Sequence, residues 1–230
     1  MGKMVSRALA LALIAGGVSA PAAFAEGEFS GNIALTSDYV YRGITQADGA
    51  PTIQGGFDWA SDDFYVGVWA SGVDFGDGTS TEIDYYAGWT PTVGEFGLDL
   101  GVIYYSYPDA PDDPEQAFVE LYAGASTTLG MVDVGASVAY SPEFYAETGP
   151  ALYWAASAGV PLGENFGVDV SVGYSDAQDD VMDGGFEDYT DYSIGLTTSV
   201  ADMVDLDFRY IDTDLDGGDE AFVVTVSRSL

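Results

Sequence analysis

The chain has 230 residues, of which 38 are acidic and five are basic, and its formal net charge is −33 at pH 7. This charge excludes a nucleic-acid partner, which requires a basic face, while a hydrophobic content of 47% is too high for a disordered acidic chain. Histidine and cysteine are both absent, which excludes Ser-His-Asp and Cys-His catalysis as well as disulfides.

Residues 1–25 have the features of a secretory signal peptide. Lys3 and Arg7 form a positively charged start, an apolar segment follows, and Ala23-Phe24-Ala25 provides small residues before a cleavage position. No run of 18 apolar residues follows, so no transmembrane helix is expected. We therefore expect an exported protein in which residues 26–230 form a single domain.

Hydrophobic residues alternate with polar or small residues along most of this domain, which is typical of β-strands with two different faces. In the segment 96–105, for example, Leu98 and Leu100 alternate with Asp99. Most of the segments are close to the 9–11 residues that a tilted strand needs to cross a bilayer. Twelve are predicted: 29–42, 51–60, 64–73, 82–89, 96–105, 116–126, 131–140, 151–160, 166–174, 189–199, 203–211 and 221–230.

The predicted connections between these segments alternate between long and short without exception. This pattern favours an all-β, transmembrane, antiparallel up-and-down β-barrel, with short periplasmic turns and longer acidic outer loops, over a secreted β-sandwich. Tyrosines concentrate near the long loops and Phe or Trp near the short turns, as expected of aromatic girdles at two membrane–water boundaries. We therefore expect the protein in the outer membrane of a Gram-negative cell.

The charged residues of the predicted strands, Arg228 excepted, share the face opposite the hydrophobic row. An arginine facing lipid at the bilayer midplane would cost about 2–4 kcal/mol, so this face is predicted to line the barrel lumen. The predicted lumen residues are Arg42, Arg209, Asp38, Asp58, Glu82, Asp84, Asp99, Glu120, Asp133, Asp169, Asp191, Asp205 and Asp207. Eleven glycines on the same face are expected to leave space there: Gly56, Gly67, Gly88, Gly97, Gly101, Gly124, Gly135, Gly159, Gly167, Gly173 and Gly195.

The last outer loop contains an acidic motif similar to the first half of an EF-hand calcium loop. Val223 occupies the position of the bidentate glutamate, so a complete EF-hand is not expected. A partial Ca²⁺ site and a simple acidic hairpin turn both remain open. The candidate ligands are Asp212, Asp214, Asp216 and Asp219.

Three stretches of the first half of the chain carry a family resemblance. They contain Tyr39, Arg42, Gly43 and Gln46 in the first, followed by Asp48-Gly49 with Pro51, Gly55-Gly56-Phe57, Phe64-Tyr65 and the strand exit Tyr107-Pro108. In order and spacing these elements resemble the TorF family of porins. The resemblance implies an outer-membrane barrel and a porin function, and it brings no defined substrate or site residues.

The leading functional expectation is a porin-like channel for passive diffusion of small solutes, with a preference for cations because acids outnumber arginines in the lumen. The alternative is a closed structural barrel whose acidic loops bind divalent cations and lipopolysaccharide. No enzyme activity is expected, since without histidine an acid pair such as Asp205 and Asp207 would have to act alone. Apart from Ca²⁺ at the outer loops, no cofactor is expected. The expected partners are outer-membrane lipid and lipopolysaccharide, and small solutes or cations. The oligomeric state is left open.

Overall fold

The computed structural model describes residues 24–177, 188–201, 203–215, 218 and 220–230, and these residues are almost entirely β-structure. The predicted signal peptide lies almost wholly outside them and stays a prediction. The described residues form twelve long strands: β1 Phe24–Thr36, β2 Thr52–Asp62, β3 Phe64–Gly72, β4 Thr81–Trp89, β5 Phe96–Ser106, β6 Phe118–Leu129, β7 Val132–Ser141, β8 Ala151–Leu162, β9 Phe166–Ala177, β10 Tyr189–Val200, β11 Val204–Thr213 and β12 Ala221–Ser229. Shorter elements lie in the connections: the two-residue strands Val40–Tyr41, Ile44–Thr45 and Thr92–Val93, and a 3-10 turn at Tyr145–Glu147.

Each long strand pairs antiparallel with its neighbours in the chain, and β1 also pairs with β12. In that closing pair, Thr36 lies opposite Thr225, and the backbone N–H of Leu230 donates to the carbonyl of Gly31 at 2.8 Å. The sheet is therefore a closed up-and-down barrel, which confirms the predicted fold class. Closure pairs each long strand with a neighbour on both sides, as a lipid-exposed sheet requires.

The connections lie alternately at the two ends of the barrel, long at one end and short at the other. The long ones are 37–51, 73–80, 107–117 and 142–150, together with the connections from Ala177 to Tyr189 and from Thr213 to Ala221, which are described only in part. The short ones are 63, 90–95, 130–131 and 163–165, together with the connection from Val200 to Val204. The predicted alternation is confirmed. Among the described residues, no helix is long and apolar enough to span a membrane.

The outer face of the barrel carries exposed hydrophobic side chains, of which Ile33, Leu35 and Phe57 are 49–66% exposed. Aromatic side chains lie toward both ends of this face. Phe64 stacks on Trp89 near the short turns with ring centroids 6.2 Å apart. Tyr104, close to the long-loop end of β5, stacks on Tyr85 in the middle of β4 with centroids 6.5 Å apart. A surface of this kind is suited to hydrocarbon with an aromatic boundary on each side.

The first predicted segment, 29–42, is wrong at its C-terminal end, because β1 ends at Thr36. Arg42 has a φ of 47° and Gly43 a φ of 82°, and two consecutive residues in the left-handed region make a tight hairpin turn. Residues 40–41 and 44–45 are the two arms of this hairpin. The sequence pattern assigned Tyr39 to the lipid-facing row, yet this side chain is 3% exposed, because the chain has left the barrel wall.

Candidate functional site

Residues 37–49, here called the inner hairpin, fold into the barrel from the long-loop end. Tyr39 and Arg42 are 3% and 6% exposed. The backbone N–H of Gln46 donates to the carbonyl of Tyr39 at 2.6 Å, and the N–H of Asp74 donates to the carbonyl of Gln46 at 2.7 Å. The inner hairpin is thus held both by its own pairing and by the neighbouring outer loop.

The side chain of Arg42 reaches across the lumen to Glu120 on β6. Its Nη2 lies 2.7 Å from Oε2 of Glu120, and both side chains are almost fully buried. The guanidinium lies over the rings of Tyr41 and Tyr153, 4.7 and 4.1 Å from the ring centroids. Burial of an ion pair is favourable only with further partners, and Glu120 gains one in the hydroxyl of Tyr105, which donates at 3.1 Å.

Other carboxylates of the lumen accept hydrogen bonds from tyrosine hydroxyls. A phenol is long enough to reach across the interior, and it supplies a donor to an acceptor that is otherwise costly to bury. The pairs are Tyr39–Glu82 at 2.7 Å, Tyr86–Asp58 at 2.6 Å, Tyr65–Asp99 at 2.9 Å and Tyr153–Asp191 at 3.1 Å. These pairs fill a large part of the interior with side chains.

Several lumen glycines lie directly under side chains that fill the interior. A Cβ atom added to the glycine would overlap the side chain that lies over it, so the expectation of free space is wrong at these positions. The pairs are Gly67 with Tyr86, Gly88 with Tyr65, Gly101 with Tyr122, Gly173 with Tyr153 and Gly195 with Arg209. Gly124 differs, because the nearest atoms to its added Cβ are 3.7 Å away.

Arg209 forms a second charged cluster on β9–β11. Its guanidinium binds both carboxylate oxygens of Asp169, at 2.7 and 3.0 Å, and one oxygen of Asp207 at 2.9 Å. Ser193 accepts a further hydrogen bond at 3.0 Å. The side chain of Arg209 is 24% exposed, so this cluster is less enclosed than the pair of Arg42 and Glu120.

The remaining predicted lumen residues lie apart from these two clusters. Asp38 belongs to the inner hairpin and accepts from the hydroxyl of Thr45 at 2.8 Å. Asp133 lies near a short turn and accepts from the hydroxyl of Thr128 at 2.6 Å. Asp205 is exposed and lies near a different short turn. The structure thus places Glu120 and Asp191 against Arg42, and Asp84 interacts electrostatically with Glu82 and Glu120. Asp133 and Asp205 lie apart from these residues, near the short turns.

Two outer loops are joined by carboxylates at the long-loop end. Asp77 accepts from the backbone N–H of Thr79 at 2.9 Å and from Nε2 of Gln116 at 2.5 Å. Asp109 accepts from the hydroxyl of Ser80 and from its backbone N–H, the latter at 3.1 Å. These hydrogen bonds favour the charged form: they lower the pKa of Asp77, chiefly through the Thr79 N–H, and the pKa of Asp109, chiefly through the Ser80 hydroxyl.

The predicted Ca²⁺ ligands are only partly described. Asp216 and Asp219 lie outside the described residues, while Asp212 accepts from the hydroxyl of Tyr210 at 3.1 Å and Asp214 accepts from the N–H of Thr190 at 2.6 Å. In the part of the chain that the structure describes, no group of three or more possible metal ligands occurs. Calcium binding at this loop stays a prediction.

A cavity of about 320 Å³, here called the outer vestibule, is lined by residues of the inner hairpin and of the neighbouring long loops. Aromatic side chains make up much of its lining: Tyr41, Phe75, Tyr107, Phe118, Phe144, Tyr145 and Tyr189. Arg42 also lines the cavity, together with the carboxylates Asp48, Asp74 and Asp176. Sequence alternation did not indicate this cavity, because most of its lining residues lie in loops, and alternation assigns side chains to a face only within strands.

Two outer-membrane channels share this fold. The COG4313 outer membrane channel from Pseudomonas putida F1 is matched over 90% of this chain and 96% of that chain, with 9% sequence identity and a TM-score of 0.55. The NanC porin is matched over 88% of this chain and 98% of that chain, with 8% identity and a TM-score of 0.53. A third porin is matched with 16% identity and a TM-score of 0.44, and the chain spans only 62% of its length. Likeness at these identities shows the fold alone.

No curated protein matches the chain. A family model described as "Bacterial protein of unknown function (Gcw_chp)" matches residues 20–229. This match does not confirm the TorF name that the first half of the sequence suggested. Because it covers nearly the whole sequence, the chain belongs to the Gcw_chp family of bacterial proteins of unknown function.

Proposed function

We propose that the protein is a porin-like channel of the outer membrane that passes small solutes, prefers cations, and is constricted by the inner hairpin. The observation that carries this proposal is the hairpin itself, which inserts a charged pair, Arg42 with Glu120, into the interior of a closed barrel. A loop folded into the lumen narrows the path and sets the charges that a permeating ion passes.

The preference for cations is proposed from the charge balance around this pair. Glu82 and Asp84 on β4 are each 2% exposed, and Asp84 interacts electrostatically with both Glu82 and Glu120. Asp191 interacts with Arg42 from the opposite wall. Glu120 and Asp191 thus face the guanidinium, and Glu82 and Asp84 add two further acidic side chains close to Glu120. Such an excess of acidic groups favours the entry of cations.

The membrane orientation follows from the same features. The exposed hydrophobic face would contact lipid, with the short turns in the periplasm and the long loops outside the cell. We propose that these acidic loops contact divalent cations and the phosphates of lipopolysaccharide, since a surface of this charge attracts cations. Nothing in this function requires a catalytic group.

A planar-bilayer recording with a KCl gradient tests the proposal. The purified barrel is expected to conduct with a reversal potential on the cation-selective side, and the double variant Glu82→Gln/Asp84→Asn is expected to move that potential toward zero. Glu95→Gln, a change in an exposed short turn, serves as the control and should leave it unchanged. Anion selectivity of the wild-type channel would contradict the proposed preference.

The dense packing at the level of the inner hairpin favours one alternative, a closed structural barrel. Tyr105 and Glu120 are only 2% and 1% exposed, so water has little access there. A barrel that is folded, inserted and electrically silent would support this alternative and overturn the channel.

A further inference from the structure

The outer vestibule combines aromatic faces with carboxylates, which is an unusual lining for an inorganic ion path. We propose that it binds organic cations with an aromatic or branched alkyl body, of the kind represented by aromatic quaternary ammonium ions. This inference rests on the proposed channel function, since it names the class of solute that the channel would admit.

Three of the rings that line the vestibule pack against one another. Tyr145 lies nearly perpendicular to Phe75 and to Tyr107, at interplanar angles of 86° and 88°, with centroids 5.6 and 5.8 Å apart. The rings touch one another, so a ligand would lie against the side of the trio that lines the cavity rather than between them. Aromatic faces carry partial negative charge and attract cations, best of all cations that are weakly hydrated.

Tyr145 remains neutral in this position. It lies in an outer loop, and burial together with the nearby charge of Asp77 raises its pKa to about 12. The phenol therefore presents its ring face and its hydroxyl at neutral pH.

The charged groups of the vestibule favour a positive ligand. Asp48 and Asp74 are exposed and Asp176 is partly exposed, and all three line the cavity. Among the described residues of the lining, Arg42 is the one cationic side chain, and it is neutralised by Glu120 at 2.7 Å. The balance is therefore negative, and an anion of the same shape would be repelled.

The size of the vestibule fits a small organic molecule. Its volume of about 320 Å³ is at the lower end of the range for small-molecule sites, roughly 300–1,000 Å³. Hydrated metal ions would gain little from a wall of rings, because they hold their water shell tightly. An organic cation loses little hydration and gains contact with the rings.

Isothermal titration calorimetry on the folded barrel in detergent micelles tests this inference separately from conductance. The probe is phenyltrimethylammonium, with benzenesulfonate as the anion of similar shape and empty micelles as the blank. The cation is expected to bind roughly tenfold or more tightly than the anion. Absence of binding, or equal binding of the two ions, would overturn the inference even if the barrel conducts.

Variants identify the site. Phe75→Leu/Tyr145→Leu is expected to weaken binding of the cation roughly five- to thirtyfold. Tyr104→Leu, which removes an exposed ring from the outer face, is the matched control and should bind as wild type does. If the double variant does not fold, Asp74→Asn/Asp176→Asn tests the same site by charge and should also weaken binding. Wild-type affinity in a folded variant of either pair would contradict the assignment.

The two proposals fail in different ways. A barrel that binds the cation and shows no conductance in the bilayer would defeat the channel and keep the vestibule as a binding site. A barrel that conducts potassium and does not bind the cation would defeat the vestibule alone.

Discussion

Arg42 and Glu120 are 78 positions apart in the chain, yet Nη2 of the arginine lies 2.7 Å from Oε2 of the glutamate inside the barrel. The contact joins the inner hairpin to β6 across the lumen. It is enclosed by Tyr41 and Tyr153, whose rings lie against the guanidinium. The hairpin is therefore fixed to the barrel wall by a buried charge pair rather than by hydrophobic contact alone.

Removal of one partner of this pair should destabilise the barrel strongly. Glu120→Gln leaves the buried guanidinium of Arg42 without its hydrogen-bonded counter-charge, and breaking a buried pair in this way typically costs about 3–5 kcal/mol. The free energy of unfolding in lipid vesicles, measured by urea titration, reports this loss. Arg42→Met/Glu120→Gln should lose less than Glu120→Gln, because no isolated buried charge remains.

The exposed Arg228 provides the control for this measurement. It lies on the outer face near the short-turn end, opposite Ile33 on β1, and Arg228→Gln should change the free energy of unfolding by less than about 0.5 kcal/mol. If Glu120→Gln cost no more than Arg228→Gln, the buried pair would not be holding the hairpin.

A methyl group added under a lumen tyrosine should also destabilise the barrel. In Gly101→Ala the new Cβ would overlap the side chain of Tyr122 and approach the backbone carbonyl of Ala87 at 2.7 Å. Overpacking of this kind costs roughly 1–3 kcal/mol. Gly124→Ala, where the nearest atoms are at ordinary contact distance, is the matched control. Equal denaturation midpoints for the two variants would contradict the close packing over Gly101.

The carboxyl of Asp77 should titrate at low pH. Its folded pKa is lowered by the Thr79 N–H and by Gln116, below an unfolded value of about 3.9. Its contribution to loop stability is therefore present above that value and is lost as the pH falls through the folded pKa. An NMR titration of the carboxyl carbon measures the midpoint. Gln116→Ala should raise it, and a wild-type midpoint at or above 3.9 would contradict the hydrogen bonds.

The barrel wall could be predicted from sequence because lipid on one side and side chains on the other impose a strict period of two. The segment predicted at 96–105 is the strand Phe96–Ser106, and the segment at 189–199 is the strand Tyr189–Val200. Residues in these strands have only two possible directions. The charged residues show which of the two directions is the lumen, since a charge directed to lipid is costly.

The inner hairpin could not be predicted in this way. Tyr39 and Tyr41 continue the alternation of β1. The period of two therefore predicts a strand that continues to Arg42, although the chain turns inward after Thr36. The signal that was present is Arg42-Gly43 together with Asp48-Gly49, since a glycine after a polar residue is typical of a turn. A glycine in a strand also gives no information about what fills its space. From the sequence, free space is expected beside Gly88 and Gly101, but the side chains of Tyr65 and Tyr122 from other strands occupy it.

Deletion of the inner hairpin tests the central claim most directly, because the claim is that this segment constricts a closed barrel. Thr36 and Thr52 are direct partners in the ladder between β1 and β2, so a short Ser-Asn-Gly-Ser turn can replace residues 37–51 without changing the wall. Single-channel conductance in a planar bilayer is the measurement. The account predicts a folded barrel whose conductance is several times that of the wild type. An unchanged conductance in a folded deletion variant would contradict it, because the constriction would then lie elsewhere.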